Sequence, residues 1–326
     1  MPDVLNQRLH PPLDHTERIS DIMRYELATR IGIALYHVAG KVLKDRGLRG
    51  RPALLRLDQC IRSKLILRET NVGGHKMYLD DRDSLCLSLE PGYDSYQNEI
   101  LDLLVPRAGV VLDIGANIGF NTLRFARAVG EAGRVFAFEP EASNLALLRK
   151  NVLANGYQNV AVIPKAVADI KGTARLFVSE VNRGDHQLYS TSESRVAQDV
   201  EITTVDDEFR NLERIHAVKM DIQGSESRAF LGMRGLLERS RCVYMVTEFW
   251  PLGLLNAGSS AEHFFGQLQS AGFSLYEIDQ RRRQLPAADL NHLLSDFPPK
   301  RGSHTNLLAV KGPIPEAVAR IIGKTA

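Results

Sequence analysis

The stretch VVLDIGANIGFNTLRFARAVG, Val110–Gly130, decides how the chain is read. An apolar run ends in an aspartate, a turn of small residues follows, and helical periodicity begins after Gly119. A strand, a glycine-rich turn and a helix in that order bring bare backbone to a ligand at a helix N-terminus, most often a nucleotide. The glycines narrow the choice. Gly115 and Gly119 are followed by Phe120, Asn121 and Thr122, whereas a dinucleotide fingerprint has its third glycine three residues beyond the second. Asp113, at the strand end, would repel a phosphate but accept from a cationic amine. Alone, the same residues also read as a tight turn with Asp113 capping the helix.

Glu139 strengthens the nucleotide reading. It ends the next apolar run, RVFAFEP, at the distance where an acidic side chain clamps ribose hydroxyls in doubly wound sites. Pro140 fixes the exit, and Asn144 falls in the first turn of the following helix. In PKAVAD, Pro164–Asp169, Ala166 and Val167 are candidates to line a purine, with Asp169 a turn residue. In VKMDIQGSE, Val218–Glu226, Asp221 ends a fourth strand at the switch point where open α/β sheets bind ligands. Lys219 lies two residues earlier and so on the same face, and Glu226 opens the next helix. Lys219, Asp221 and Glu226 form a charged cluster suited to a site. A structural ion pair involving Lys219, with Glu226 serving the helix dipole, is the other reading.

From Val110 onward, near-continuous apolar runs alternate with helical stretches, which predicts a doubly wound, mostly parallel α/β sheet. The last two runs, FSLYEID and TNLLAVKG, fit an antiparallel hairpin at one edge with no helix between them. The polar segment from Ser179 to Gln198 reads as a lid or binding loop, and His186 lies in it. Before the main domain, a Pro-rich tail leads into a helix that stops at Gly47. Short β-type runs follow: LILRE, KMYLD after the Gly73–Gly74 turn, and SLCLSL. DSYQNEILDLLV, Asp94–Val105, reads as a helix. The expected division is 1–89 as an N-terminal helical and α+β extension, 90–313 as the nucleotide-binding domain and 314–326 as a tail.

Composition excludes several classes. The 326 residues carry a net charge of +2, with no basic stripe interleaved with aromatics, so no nucleic-acid partner is expected. Met1–Lys76 holds 14 Lys+Arg against 8 Asp+Glu, a mild imbalance best read as a solvated helical face. Cys60, Cys86 and Cys242 make no metal-ligand spacing, so the expectation is a reduced, cytoplasmic protein with no metal site. IGIALYHVAG, Ile31–Gly40, is far shorter than the ~20 residues of a membrane span, so no integral membrane segment is expected. The N-terminal helix is a candidate homodimer element.

LDIGANIGFNTL, GRVFAFEPEASN, LRKNVLANG and VKMDIQGSE, taken in order, resemble the FkbM-type S-adenosylmethionine-dependent methyltransferases. The resemblance runs from about Asp80 to Lys311, with Glu99 at a usual acidic position. Gln223 departs from the pattern, where an acidic residue is more common, and cannot act as a base. The resemblance implies a class I, Rossmann-like fold: a seven-stranded sheet with its last strand antiparallel. It implies S-adenosylmethionine as cofactor, with Asp113 and Gly115 facing the methionine part, Asn117 nearby, Gly119 in the turn and Glu139 on the ribose. The methyl group would then point toward Asp221, Glu226 and the lid.

A hydroxyl acceptor on a small molecule, glycan or lipid-linked sugar would need a base. Asp221, Glu226, Glu248, His186 and His304 are the candidates, with Lys219 beside them. Trp250 in EFWP reads equally as a ring-stacking platform or as core, and Arg281–Arg283 as a solvated turn. Two other readings compete: a nicotinamide oxidoreductase, disfavoured by the glycine spacing and Asp113, and a non-catalytic nucleotide-binding module.

Overall fold

The computed structural model describes residues 26–39, 61, 64–89, 95–179, 182–190 and 195–322. The chain divides into two compact units, Met1–Arg68 and Glu69–Ala326. In the first, residues 26–39 are helical. The tail and the remainder of the helix expected before Gly47 lie outside the described residues.

The second unit opens with a hairpin of β1 (Glu69–Val72) and β2 (His75–Tyr78), turning at Gly73 and Gly74, both at positive φ. Only part of the β pattern expected in this region forms strands. LILRE enters β1 only at Glu69, and SLCLSL is a series of turns. The reason is local: Asp80 accepts from the N–H groups of Arg82 and Ser84, and Asp83 from those of Leu87 and Ser88. Such side-chain bonds offer the backbone an alternative to a ladder. The expected helix after this segment spans Ser95–Leu104.

The central sheet contains β3 (Val110–Ile114), β4 (Arg134–Phe138), β5 (Val160–Ile163), β9 (Ala217–Met220), β10 (Val243–Phe249), β11 (Ser274–Glu277) and β12 (Thr305–Lys311). Its order is β11-β12-β10-β9-β3-β4-β5. The pairs β10–β9, β9–β3, β3–β4 and β4–β5 are parallel, while β12 runs antiparallel to both neighbours. This is the expected mixed α/β sheet of seven strands with an antiparallel last strand. The chain order reverses at β3, between β4 and β9, which opens a crevice at the carboxyl ends of those strands.

Period two assigns the faces. Leu112, Ile114, Val218, Met220, Met245, Phe249 and Leu307 join one core cluster. Val111, Ala217, Val246, Leu308 and Val310 join the other. Every residue of β9 and β10 is buried, as befits strands covered on both sides.

Two features differ from expectation. The final strands are not a bare hairpin: a helix, Leu290–Asp296, and a 3₁₀ turn, Pro299–Arg301, intervene. Asp289 caps the start of that helix by accepting from the N–H of His292, a start signal that the apolar pattern alone does not carry. β12 then inserts between β10 and β11, leaving β11 at the edge. A second sheet also appears, with β6 (Ala166–Val167), β7 (Gly172–Val178) and β8 (Val196–Thr203) in the order β6-β8-β7. The end of the expected polar loop therefore belongs to β8, which pairs antiparallel with β7.

Candidate active site

The turn after β3 is built on backbone. Gly115, Asn117 and Gly119 all have positive φ. The N–H groups of Gly115 and Ala116 donate to the Phe138 carbonyl at 3.1 and 2.9 Å. The N–H of Asn117 donates to Glu139 Oε2 at 2.8 Å, and that of Glu141 to Glu139 Oε1 at 2.9 Å. The carboxylate of Glu139 is thus fixed by two backbone donors, one on each oxygen. Burial pushes its pKa up to about 7, opposed by those two bonds. Gly115 is required by packing as well: a Cβ there would stand 2.0 Å from the Asp221 carbonyl oxygen.

Glu139 opens into a cavity lined by Gly115, Asn117, Asn144, Ala166, Val167 and Ile222, among others. Its walls mix apolar side chains with a few polar groups, as in small-molecule sites. Residues 182–190, between β7 and β8, supply Arg183, Gly184, His186 and Leu188 to the same cavity. Asn144 Nδ2 donates to the Arg183 carbonyl at 2.9 Å, and Asn117 Nδ2 to the same oxygen at 3.3 Å. The Arg183 N–H donates to Ser84 Oγ, and its guanidinium forks onto Asp81.

A second cavity adjoins the first and shares Gly115, Asn117, Gly184, Asp221 and Gln223 with it. Its floor follows from strand register. Asp113 pairs with Lys219 across β3 and β9, and Asn306 with Glu248 across β12 and β10. By period two, Asp113, Lys219, Asp221, Glu248 and Asn306 share one face at the carboxyl end of the sheet. Lys219, Asp221, Glu248, His304 and Asn306 line the second cavity, with Asn121 from the helix Phe120–Val129.

The charges of this row are unevenly satisfied. Asp221 Oδ2 accepts from Lys219 Nζ at 2.9 Å, and its Oδ1 from Gln223 Nε2 at 2.8 Å. Burial opposes its charge, but the Lys219 ammonium and the Gln223 amide hold its carboxyl below the usual range. Glu248 behaves oppositely. Burial, and then the charges of Asp221 and Glu226, push its pKa well above the usual range. Its Oε2 is buried with no hydrogen-bond partner among the described residues.

Several residues singled out from sequence fall elsewhere. Asp113 is 1 % exposed, accepts from Thr122 Oγ1 at 2.5 Å and lines neither cavity. It does not cap the helix, whose N-cap is the left-handed Gly119, and Gly119 also lies behind the cavity walls. Glu226 lines neither cavity; its Oε1 accepts from the Ile222 N–H and braces the turn after β9. His186 faces the first cavity rather than the second. Its Nδ1 accepts from the Ser179 N–H, and burial lowers its pKa, so it is a neutral ring with the proton on Nε2.

Glu99 is surface-paired with Arg283, and Asp169 pairs with Arg228. Trp250 is packing: it stacks on Gly253 and donates Nε1–H to the Gly302 carbonyl. Arg281 and Arg282 donate backbone N–H groups to Asp279 in a surface turn. Sequence reasoning missed Ser84, Asn121, Arg183 and Asn306. The register of β12 against β10 would have found Asn306; nothing in the sequence marks Arg183. Among the described residues, no group of three or more His, Cys, Asp or Glu is arranged to hold a metal ion, and no helix is long and apolar enough to cross a membrane.

Solved structures of similar fold are distant in sequence. An S-adenosylmethionine-dependent methyltransferase from Aquifex aeolicus is 13% identical over 67% of this chain and 89% of that one, with a TM-score of 0.37. Precorrin-6y C5,15-methyltransferase from Geobacter metallireducens is 12% identical over 68% and 89%, with a TM-score of 0.39. An S-adenosylmethionine-dependent O-methyltransferase from Thermotoga maritima is 14% identical over 76% and 78%, with a TM-score of 0.38. No curated protein matches the sequence. The profile of the methyltransferase FkbM domain matches residues 113–275, which run from the aspartate of β3 into β11 and take in most of both cavities. The chain therefore belongs to the FkbM methyltransferase family, and its methyl donor is S-adenosylmethionine.

Proposed function

We propose that the protein transfers a methyl group to a hydroxyl oxygen of a small-molecule or glycan acceptor. The donor would lie in the first cavity and the acceptor in the second. The residues fit the donor. Each oxygen of Glu139 accepts one backbone N–H and keeps a lone pair for a ribose hydroxyl. Ala166, Val167 and Ile222 would flank the purine, Asn144 would brace the loop above it, and Gly115 and Asn117 would border the methionine part. Asp113 and Gly119 would hold the turn from behind. When bound, the sulfonium supplies an electrophilic methyl group; the protein's task is to align it with the acceptor oxygen, which lowers the barrier by positioning.

The observation carrying this reading is the polar second cavity, adjoining the first at Asp221 and Gln223. Its amides and acids suit an acceptor rich in hydroxyls, whereas its lysine is already paired with Asp221 and gives no cationic grip on an anion. Calorimetry with S-adenosylhomocysteine and with NADH tests the reading. S-Adenosylhomocysteine should bind the wild type and bind Glu139→Ala roughly 100-fold more weakly, through loss of two hydrogen bonds to a charged acceptor. Binding of NADH alone would overturn it.

A further inference from the structure

Resting on that reading, we infer that Glu248 is the catalytic residue that takes the proton from the acceptor hydroxyl. Glu248 is next to last in β10, on the polar face, with its side chain only 7% exposed. It lines the acceptor cavity, and its Oε2 has no partner among the described residues. A buried carboxyl oxygen without a partner is costly unless a ligand group supplies the missing bond.

The other candidate bases are committed or lie elsewhere: Glu226 Oε2 and His186 Nε2 also lack a partner among the described residues, but neither residue lines this cavity. Asp221 uses both oxygens, on Lys219 and Gln223. Glu226 lies outside the cavity, and His186 faces the donor side. The half-exposed His304 has Nε2 3.8 Å from Glu248 Oε1, so the carboxyl has a neighbour in contact with solvent.

The step balances without a further reactant. The O–CH₃ bond forms as the S–CH₃ bond breaks, sulfur keeps the electron pair, and the hydroxyl proton passes to Glu248 Oε2. Glu248 must therefore be ionised when the acceptor arrives. In the ligand-free protein it is faced by Lys219 from β9, Asp221 from the turn just after it, Glu226 from the next helix, Asp185 from the β7–β8 loop, and His304. Burial and these acids push its carboxyl well above the usual range and favour the protonated form. A cation in the adjoining cavity reverses that balance, so Glu248 should lose its proton on binding the sulfonium donor but keep it on binding the neutral thioether product.

Proton release is measurable without an acceptor, by calorimetry in buffers of differing ionisation enthalpy. At about pH 6.5 the ligands' amino groups stay charged, and Glu139 meets the same ribose in both ligands. S-Adenosylmethionine should release on the order of half a proton more than S-adenosylhomocysteine. In Glu248→Gln the difference should vanish while S-adenosylhomocysteine affinity stays within about threefold. In Glu226→Gln it should persist. A difference equal in wild type and Glu248→Gln overturns the inference. So does one that disappears only in Glu226→Gln. If Glu248→Gln does not fold, Glu248→Met, apolar and of similar size, is read the same way. Failure of both ligands to bind the wild type would instead overturn the methyl-transfer reading.

Discussion

The two cavities meet at the switch point of one sheet, yet they are built differently. On the proposed donor side the carboxylate of Glu139 is held by two backbone N–H groups, and the turn that supplies one of them is itself bonded to the Phe138 carbonyl. On the proposed acceptor side the acids rest on side chains, Lys219 and Gln223 for Asp221, and Glu248 keeps an oxygen with no partner among the described residues. Backbone geometry survives changes of side chain but not changes of path, so it suits a ligand that never varies. Side-chain polarity can be altered residue by residue, which suits an acceptor that must be distinguished from others.

The sharpest way to break this contrast is to alter the path. Gly115 has φ +80°, and a Cβ there would lie 2.0 Å from the Asp221 carbonyl oxygen, so β3 and the turn after β9 would have to separate. Gly115→Ala should cost roughly 3 kcal/mol or more of folding stability, read from denaturant unfolding, and abolish S-adenosylhomocysteine binding. Asn306→Ala, on the acceptor floor, should stay within about 0.5 kcal/mol of wild type. Similar costs for the two variants would end the distinction.

The same contrast governs what the sequence discloses. The donor side is written in consecutive residues: a strand, Gly115 and Gly119, then Glu139 at the end of the next strand, and each is legible from spacing. Even there, spacing did not fix the direction of Asp113, which does not cap the helix. The period that brings it to the strand end also turns it toward Thr122 and the helix, a direction that only the packed structure fixes. The acceptor side is assembled from β9, β10, β12 and the helix Phe120–Val129, so its register depends on which strands pair. That depends in turn on β12 inserting between β10 and β11, which no local pattern announces. The second sheet was hidden for a related reason. β7 and β8 are half-solvated strands whose interleaved polar residues give no continuous apolar run, and the start of β8 reads as the end of the polar loop until its pairing is known.

Titration sharpens the comparison with a smaller effect. Glu139 and Glu226 both have pKa values raised to about 7 by burial, and burial with the neighbouring acids also raises that of Glu248 well above the usual range. A carboxyl raised in the folded state binds more protons there than in the unfolded chain, so its contribution to stability is lost as pH rises through the folded value. The buried His75 works the other way, its pKa lowered to about 4, but its contribution is complete above about pH 6.5. Between about pH 6.5 and 8 the ligand-free protein should therefore lose about 2 kcal/mol of stability. Thermal unfolding across that range checks this, and Glu226→Gln should flatten the slope. A melting temperature constant over the range would refute the assignment of these protons.

The smallest effect concerns the loop over the donor cavity. Its grip divides between interior and surface: Asn144 and Asn117 hold the Arg183 carbonyl from within, and Asp81 takes the guanidinium from outside. The outer pair is exposed on the Asp81 side, at 62%, so its contribution is small, about 0.2–1 kcal/mol, and is screened by salt. Arg183→Ala keeps the main-chain carbonyl and so should preserve the inner grip. S-Adenosylhomocysteine should then dissociate about two- to fivefold faster, with little change in association. In the wild type, raising the salt should reproduce most of that increase. A much larger effect, or one indifferent to salt, would mean that the guanidinium acts on the ligand rather than on the loop.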